Sequence, residues 1–221
     1  QQYVQASTNG NNGTLTITSY EGELFANLPF DNDTWLFRPF ELKADKNYEV
    51  SVMGRQDCDY GMTLNLAYCT EPNLATVVDT MASDLLMRDW KEYKGWINVP
   101  ADGIYYIGVN ISTWGFSVEQ NNSAIDNFSV KEIACAPPVQ IKETKVTSKS
   151  ADIDFHSIAD VWEIKVSSVD FDPEYGVADI ITDTIREEHY TINGLDINKD
   201  YFYSLRSLCS DPSEWSNVQT F

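Results

Sequence analysis

The feature that most constrains this chain is a two-residue alternation of apolar and polar side chains, repeated in short runs that each end in a cluster of turn residues. Tyr48-Glu-Val-Ser-Val52, Met62-Thr-Leu-Asn-Leu-Ala-Tyr68 and Tyr105-Tyr-Ile-Gly-Val-Asn-Ile111 carry it, with Thr14-Leu-Thr-Ile-Thr18 before them. Successive side chains of a strand point to opposite faces, so this period marks strands buried on one side. The runs are separated by Ala44-Asp-Lys-Asn47, by residues 57–61 and by Pro100-Ala-Asp-Gly103, all rich in turn formers. Alternation restarts at Ala151-Asp-Ile-Asp-Phe155, Val161-Trp-Glu-Ile-Lys-Val166, Tyr190-Thr-Ile192 and Tyr201-Phe-Tyr-Ser-Leu-Arg-Ser-Leu208. Many short strands without alternating helices predict an all-β chain of two β-sandwich domains rather than a parallel α/β sheet. One helical stretch is expected, over residues 82–93, where Leu85, Leu86 and Trp90 stand at mixed spacing.

A length of 221 residues suits two modules of roughly 100 residues each. The break is expected near Ile133, giving domains 1–133 and 134–221, with Ala134-Cys-Ala-Pro-Pro138 as a stiff connector because two prolines fix φ. Hydrophobic residues make up 43% and aromatics 13%, enough apolar mass for two cores. The net charge of -19 is spread over both halves. It argues against nucleic acid and anionic lipid as partners, since Lys and Arg supply most of the affinity for phosphate backbones. No run approaches the ~20 apolar residues of a membrane helix, and Gln1-Gln2 does not open a basic-then-apolar leader. The expectation is an exported segment of a longer multidomain chain whose signal lies outside these residues, without membrane insertion.

Cys58, Cys69, Cys135 and Cys209 lack metal-finger spacing, and one pair falls in each half. Two disulfides and an oxidising, extracellular compartment are the reading. Cys58 and Cys69 flank a turn and a strand, so in an antiparallel hairpin they can face each other. Two separate thiols are the alternative.

The second module resembles a fibronectin type III domain. The likeness is carried by Tyr190-Thr-Ile-Asn-Gly-Leu195, Asn198-Lys-Asp-Tyr201 and Glu214-Trp-Ser-Asn-Val-Gln-Thr-Phe221. It implies that Leu195 ends one strand and that the Tyr201 hydroxyl ties the following corner. The family's Trp near the end of the second strand is Phe155 here, and Trp162 is expected to fill part of that volume. Cys135 and Cys209 look like the bridged pair of the variant found in surface proteins of Bacteroidetes-type bacteria.

The first module resembles the jelly-roll of cleaved-adhesin and carbohydrate-binding modules. The motifs are residues 33–48, Pro100-Ala-Asp-Gly-Ile-Tyr-Tyr-Ile-Gly108 and Ala124-Ile-Asp-Asn-Phe-Ser-Val130. The resemblance implies a structural Ca²⁺ held by hard oxygen ligands, with Asp126 first and Glu21, Glu23, Asp31 and Asp33 as partners. The alternative for Asp126 is a turn cap or a solvent-facing position.

An enzyme is not expected. The first module has no histidine, and His156 and His189 border strands whose inward positions are taken by other residues, so both should face solvent. No phosphate loop, zincin motif or nucleophile elbow occurs, and among 34 acidic residues no carboxylate pair stands out. A sugar site needs exposed aromatic rings beside amides and carboxylates. Trp114, where alternation breaks, is the first candidate, followed by Trp90, Trp96 and Tyr60; the alternative for each tryptophan is burial in the core, which is the expectation for Trp35 in its apolar run. The chain therefore reads as a non-catalytic extracellular binding or adhesion segment of a bacterial surface or secreted protein, for glycan or a host or matrix protein. The alternative is a structural spacer of a larger exported glycosidase or peptidase.

Overall fold

A computed structural model describes residues 20–21, 26–28, 35–56, 61–113 and 123–221. The chain divides into two compact units. One draws on residues 1–42, 49–95 and 102–131, the other on 43–48, 96–101 and 132–221.

In the first half the strands are β1 (Ala26–Leu28), β2 (Leu36–Leu42), β3 (Asn47–Gln56), β4 (Met62–Cys69), β5 (Val77–Leu85), β6 (Lys91–Ile97), β7 (Gly103–Thr113) and β8 (Ser123–Ile133). They form two four-stranded sheets, ordered β1-β8-β3-β6 and β2-β7-β4-β5. Val50 and Val52 of β3, Met62, Leu64, Leu66 and Tyr68 of β4, and Ile107, Val109 and Ile111 of β7 are buried at the alternate positions that the sequence period marks. The sheets meet face to face. A Cβ added at Gly54 of β3 would meet Leu64 of β4 at 2.8 Å, and one at Gly95 of β6 would meet Met81 of β5 at 2.4 Å. Phe40 of β2 and Phe128 of β8 also pack across, 6.0 Å between centroids.

The expected helix over residues 82–93 is not formed. That stretch is the end of β5, a turn and the start of β6. Leu86 is buried while Leu85 is exposed. The mixed spacing came from a chain reversal, with Gln56 N–H donating to Met87 and Leu86 N–H to Met62 on the way.

The second half holds β9 (Val139–Val146), β10 (Ser150–His156), β11 (Trp162–Ser167), β12 (Ile181–Ile185), β13 (His189–Asn193), β14 (Phe202–Ser207) and β15 (Gln219–Thr220), in sheets β13-β10-β9 and β12-β11-β14-β15. Its core is built from Ala151, Ile153, Phe155, Trp162, Ile164, Val166, Ile192, Leu195, Tyr201, Tyr203 and Leu205, among others. Phe155 and Trp162 meet edge to face at 5.0 Å, so Trp162 does fill the space beside the smaller ring. The Tyr201 hydroxyl accepts the Asp196 N–H at 2.8 Å and closes the corner. Cys135 and Cys209 are bonded.

Serine hydroxyls replace strand pairing along one side of β14. Leu205 N–H donates to Ser216 Oγ at 3.1 Å and Ser207 N–H to Ser213 Oγ at 2.9 Å, while the Ser213 and Ser216 N–H groups return bonds to the Ser207 and Leu205 carbonyls. On this sheet two cations approach the Trp215 ring, Lys165 Nζ at 4.8 Å and Arg206 Cζ at 4.6 Å from its centroid. Arg206 is itself held by Glu163.

Candidate functional site

Strand pairing places a set of uncharged side chains on the outer face of the β2-β7-β4-β5 sheet. On β7 the inward positions are Tyr105, Ile107, Val109 and Ile111, so Tyr106, Gly108, Asn110 and Ser112 point outward. Register then fixes the neighbours. Asn110 lies opposite Asn65, which lies opposite Ser83, and one row along Phe37, Gly108, Ala67 and Thr80 cross all four strands. Ser112, Thr63 and Leu85 make the next row. Trp35 precedes β2 and continues its alternation toward the row of Asn110.

Glycine is required at the centre. A Cβ at Gly108 would stand 2.6 Å from Phe37 Cε1 and 2.9 Å from Trp35 Cε3, closer than carbon atoms approach, so the two rings lie down on bare backbone. They are nearly parallel, with 16° between their planes and centroids 6.0 Å apart, and both are half-buried. Beside them runs a polar ladder. Asn65 Nδ2 donates to Asn110 Oδ1 at 3.0 Å and to Ser112 Oγ at 3.1 Å, and Ser83 Oγ donates to Asn65 Oδ1 at 2.7 Å. These bonds orient the Asn65 amide against Asn110, which is itself buried at 2% exposure, so Asn65 and Ser83 form the accessible end of the row, and the rows through them carry no charged side chain. Partly exposed aromatic rings next to a fixed amide and hydroxyl suit a neutral ligand with one apolar and one hydroxylated aspect.

The sequence candidates are distributed differently. Trp96 is buried, 7% exposed, and packs with Ala136 and Val139, so it offers no ring to a ligand. Trp90 is half-buried on the side of the other sheet, with Tyr20 edge-on at 6.0 Å and Arg55 Cζ 6.0 Å from its centroid. Trp114 and Tyr60 lie outside the described residues. Near Tyr20 an open groove of 690 Å³ runs between Glu21, Ser51, Met53, Glu92 and Asn127.

Asp126 and Glu21 do come together there. Asp126 Oδ2 accepts the N–H groups of Tyr20 and Glu21 at 3.0 and 3.2 Å, and Oδ1 accepts that of Asn127 at 2.8 Å. Asn127, at φ 48°, donates its side-chain amide to Glu21 at 2.7 Å. Three of the roughly four acceptor positions of the Asp126 carboxylate are thus used on backbone, which makes it a clasp for residues 20–21. Glu23, Asp31 and Asp33 lie outside the described residues, and among the described residues no three His, Cys, Asp or Glu side chains gather to hold a metal.

Cys69 is a free, buried thiol, and Cys58, its expected partner, lies outside the described residues. Met62 to Tyr68 face the core at even positions, and Cys69 pairs with Tyr106 on the outer side, where burial pushes its thiol pKa up. The histidines sit on the outside of β10 and β13. His189 Nδ1 is 2.6 Å from Asp154 and His156 Nδ1 3.1 Å from Glu188. The Asp154 carboxylate raises the His189 pKa above its ordinary value.

Sequence reasoning missed Trp35, Phe37, Asn65 and Asn110. The available signal was Gly108, an outward position without a side chain inside an aromatic strand.

No protein-family model matches the chain, and no curated protein does. Among solved structures, parts of it are similar to the fn3 domain of human collagen alpha-1(XX) chain, at 18% identity over 40% of this chain and 84% of that one, with a TM-score of 0.33. The FN5 domain of Drosophila Lar is similar at 12% identity over 40% of this chain and 95% of that one, TM-score 0.33. A CBM4 structure is similar at 16% identity over 49% of this chain and 67% of that one, TM-score 0.37. By its own strand pairing, the chain is an all-β protein of two sandwiches.

Proposed function

We propose that the chain is a non-catalytic, exported binding segment of a bacterial surface or secreted protein, and that its first unit takes a neutral glycan on the outer face of β2-β7-β4-β5. The second unit serves as spacer and as a protein-contact surface. The observation that carries the reading is the parallel Trp35–Phe37 pair lying against Gly108 beside the Asn110–Asn65–Ser83 row. Sugar rings stack on such surfaces through their C–H faces while oriented amides meet their hydroxyls. The bonded Cys135–Cys209 pair supports an oxidising compartment.

The test is a glycan array on the whole chain, with Trp35→Ala, Phe37→Ala and Trp114→Ala alongside. Specific binding lost at least tenfold in the first two variants supports the reading. Binding lost only in Trp114→Ala moves the site, and a blank array with folded protein leaves a spacer of a larger exported hydrolase as the better account.

A further inference from the structure

The connection between β11 and β12, residues 168–180, is longer than sandwich turns need, and loops of this length inside compact domains are commonly functional. It is also well tied. Ser168 donates N–H and Oγ to the Asp179 carboxylate at 2.7 and 2.6 Å, closing the base. Asp172 Oδ1 accepts the N–H groups of Glu174 and Tyr175 at 2.8 and 3.3 Å. Gly176 N–H donates to Asp172 O at 2.6 Å, and Lys165 Nζ to Pro173 O at 2.7 Å.

What this framework holds up is apolar. Tyr175 and Val177 are each 86% exposed, and Val169 is exposed with them. A loop with no partner gains nothing by fixing an aromatic and a β-branched side chain in water, whereas a pre-ordered loop binds with less entropic penalty. Tyrosine is among the side chains that anchor protein interfaces. The loop's own charges all have one sign: Asp170, Asp172, Glu174 and Asp179 lie between residues 168 and 180, and no Lys or Arg does, while the neighbouring Lys165 ammonium is engaged by Pro173 O and the Trp215 ring. On a chain of net charge -19, that field disfavours a second copy and favours a cationic surface.

We infer that the loop of residues 168–180 is a docking site for a basic protein surface, with Tyr175 and Val177 as the apolar anchors and Asp170 and Glu174 as the charged rim. The site lies in the second unit and does not rest on the glycan reading of the first.

The experiment pans a phage-displayed library of random 12-residue peptides on the whole chain, then measures the selected peptides by biolayer interferometry. Expected are peptides that combine Arg or Lys with an apolar residue and bind at least tenfold more weakly to the Tyr175→Ser/Val177→Ser variant. Because the apolar change can disturb the loop, Asp170→Asn/Glu174→Gln is measured beside it and is expected to weaken binding about fivefold, as is raising NaCl from 50 to 300 mM. Selected peptides without basic residues, or equal binding to both variants, overturn the inference. So does a dimer of the parent chain that Tyr175→Ser/Val177→Ser dissolves, since the occupant is then a second copy.

Discussion

Replacing Cys135 and Cys209 together by serine measures how much of the second unit's stability comes from tying its ends. The bridge closes a separation of 74 residues. In the chain-entropy account, a loop of that length removes roughly 15 cal/mol/K from the unfolded ensemble, about 4.4 kcal/mol at 25 °C. Unfolding the roughly 90 residues from 132 onward releases about 0.19 kcal/mol/K at the midpoint, so Tm should fall by about 23 °C. A compensating bond makes this an upper figure. Cys135 Sγ lies 3.9 Å from Ser207 O, so a serine hydroxyl there can donate to that carbonyl and recover about 1 kcal/mol. Differential scanning calorimetry of the whole chain reads the result and supplies its own control. The first unit contains no bridge among the described residues, so its transition should stay within about 2 °C. A fall of less than about 8 °C in the second unit's transition, or an equal fall in both transitions, would refute the reasoning.

Four further outcomes are expected. Gly108→Ala should weaken any ligand that depends on the Trp35–Phe37 surface more than tenfold while lowering stability by about 1 kcal/mol, because half-buried rings can lift off the new methyl; unchanged binding in a titration would separate the rings from the site. Tyr201→Phe leaves the Asp196 N–H without its partner and should lower the second unit's stability by about 1 kcal/mol, roughly 5 °C in Tm by thermal denaturation. His189 should titrate above its ordinary value by NMR, through the Asp154 bond and then the Asp152 and Glu187 charges. Since its folded pKa is raised, its small contribution is complete below about pH 6.5 and lost as pH rises through the folded value, and Asp154→Asn should return the midpoint toward 6.5. Chelator should leave Tm within about 1 °C if Asp126 serves only as the clasp for residues 20–21, whereas a loss of several degrees restored by Ca²⁺ would show a centre completed by other residues.

The strands of both units were legible because each buries one face, and a period of two is the direct record of that. The tyrosine corner was legible for a related reason: Leu195, Asn198 and Tyr201 sit close together in sequence, so their spacing encodes the geometry. The proposed binding face was not. Trp35-Leu-Phe37 reads as a core run because both faces of β2 are apolar there, and only its pairing with Gly108, some seventy residues on, turns Phe37 outward onto open backbone. Trp96 failed in the opposite sense, since nothing local distinguishes a tryptophan that packs on Ala136 and Val139 from one that meets solvent. The apparent helix failed because Leu85 and Leu86 straddle the point where the chain turns back, which mixes two strand phases into one irregular period.

The serine-bonded flank of β14 has a bearing on how the protein behaves at high local density. An open sheet edge is a template for intermolecular pairing, a hazard that grows with the local concentration of chains. Here the N–H groups of Leu205 and Ser207 are already engaged by Ser216 and Ser213 in a segment that is not itself a regular strand. An incoming chain would find no free ladder on that flank and nothing flat to extend, so crowding should not convert this sandwich into fibrils from that side.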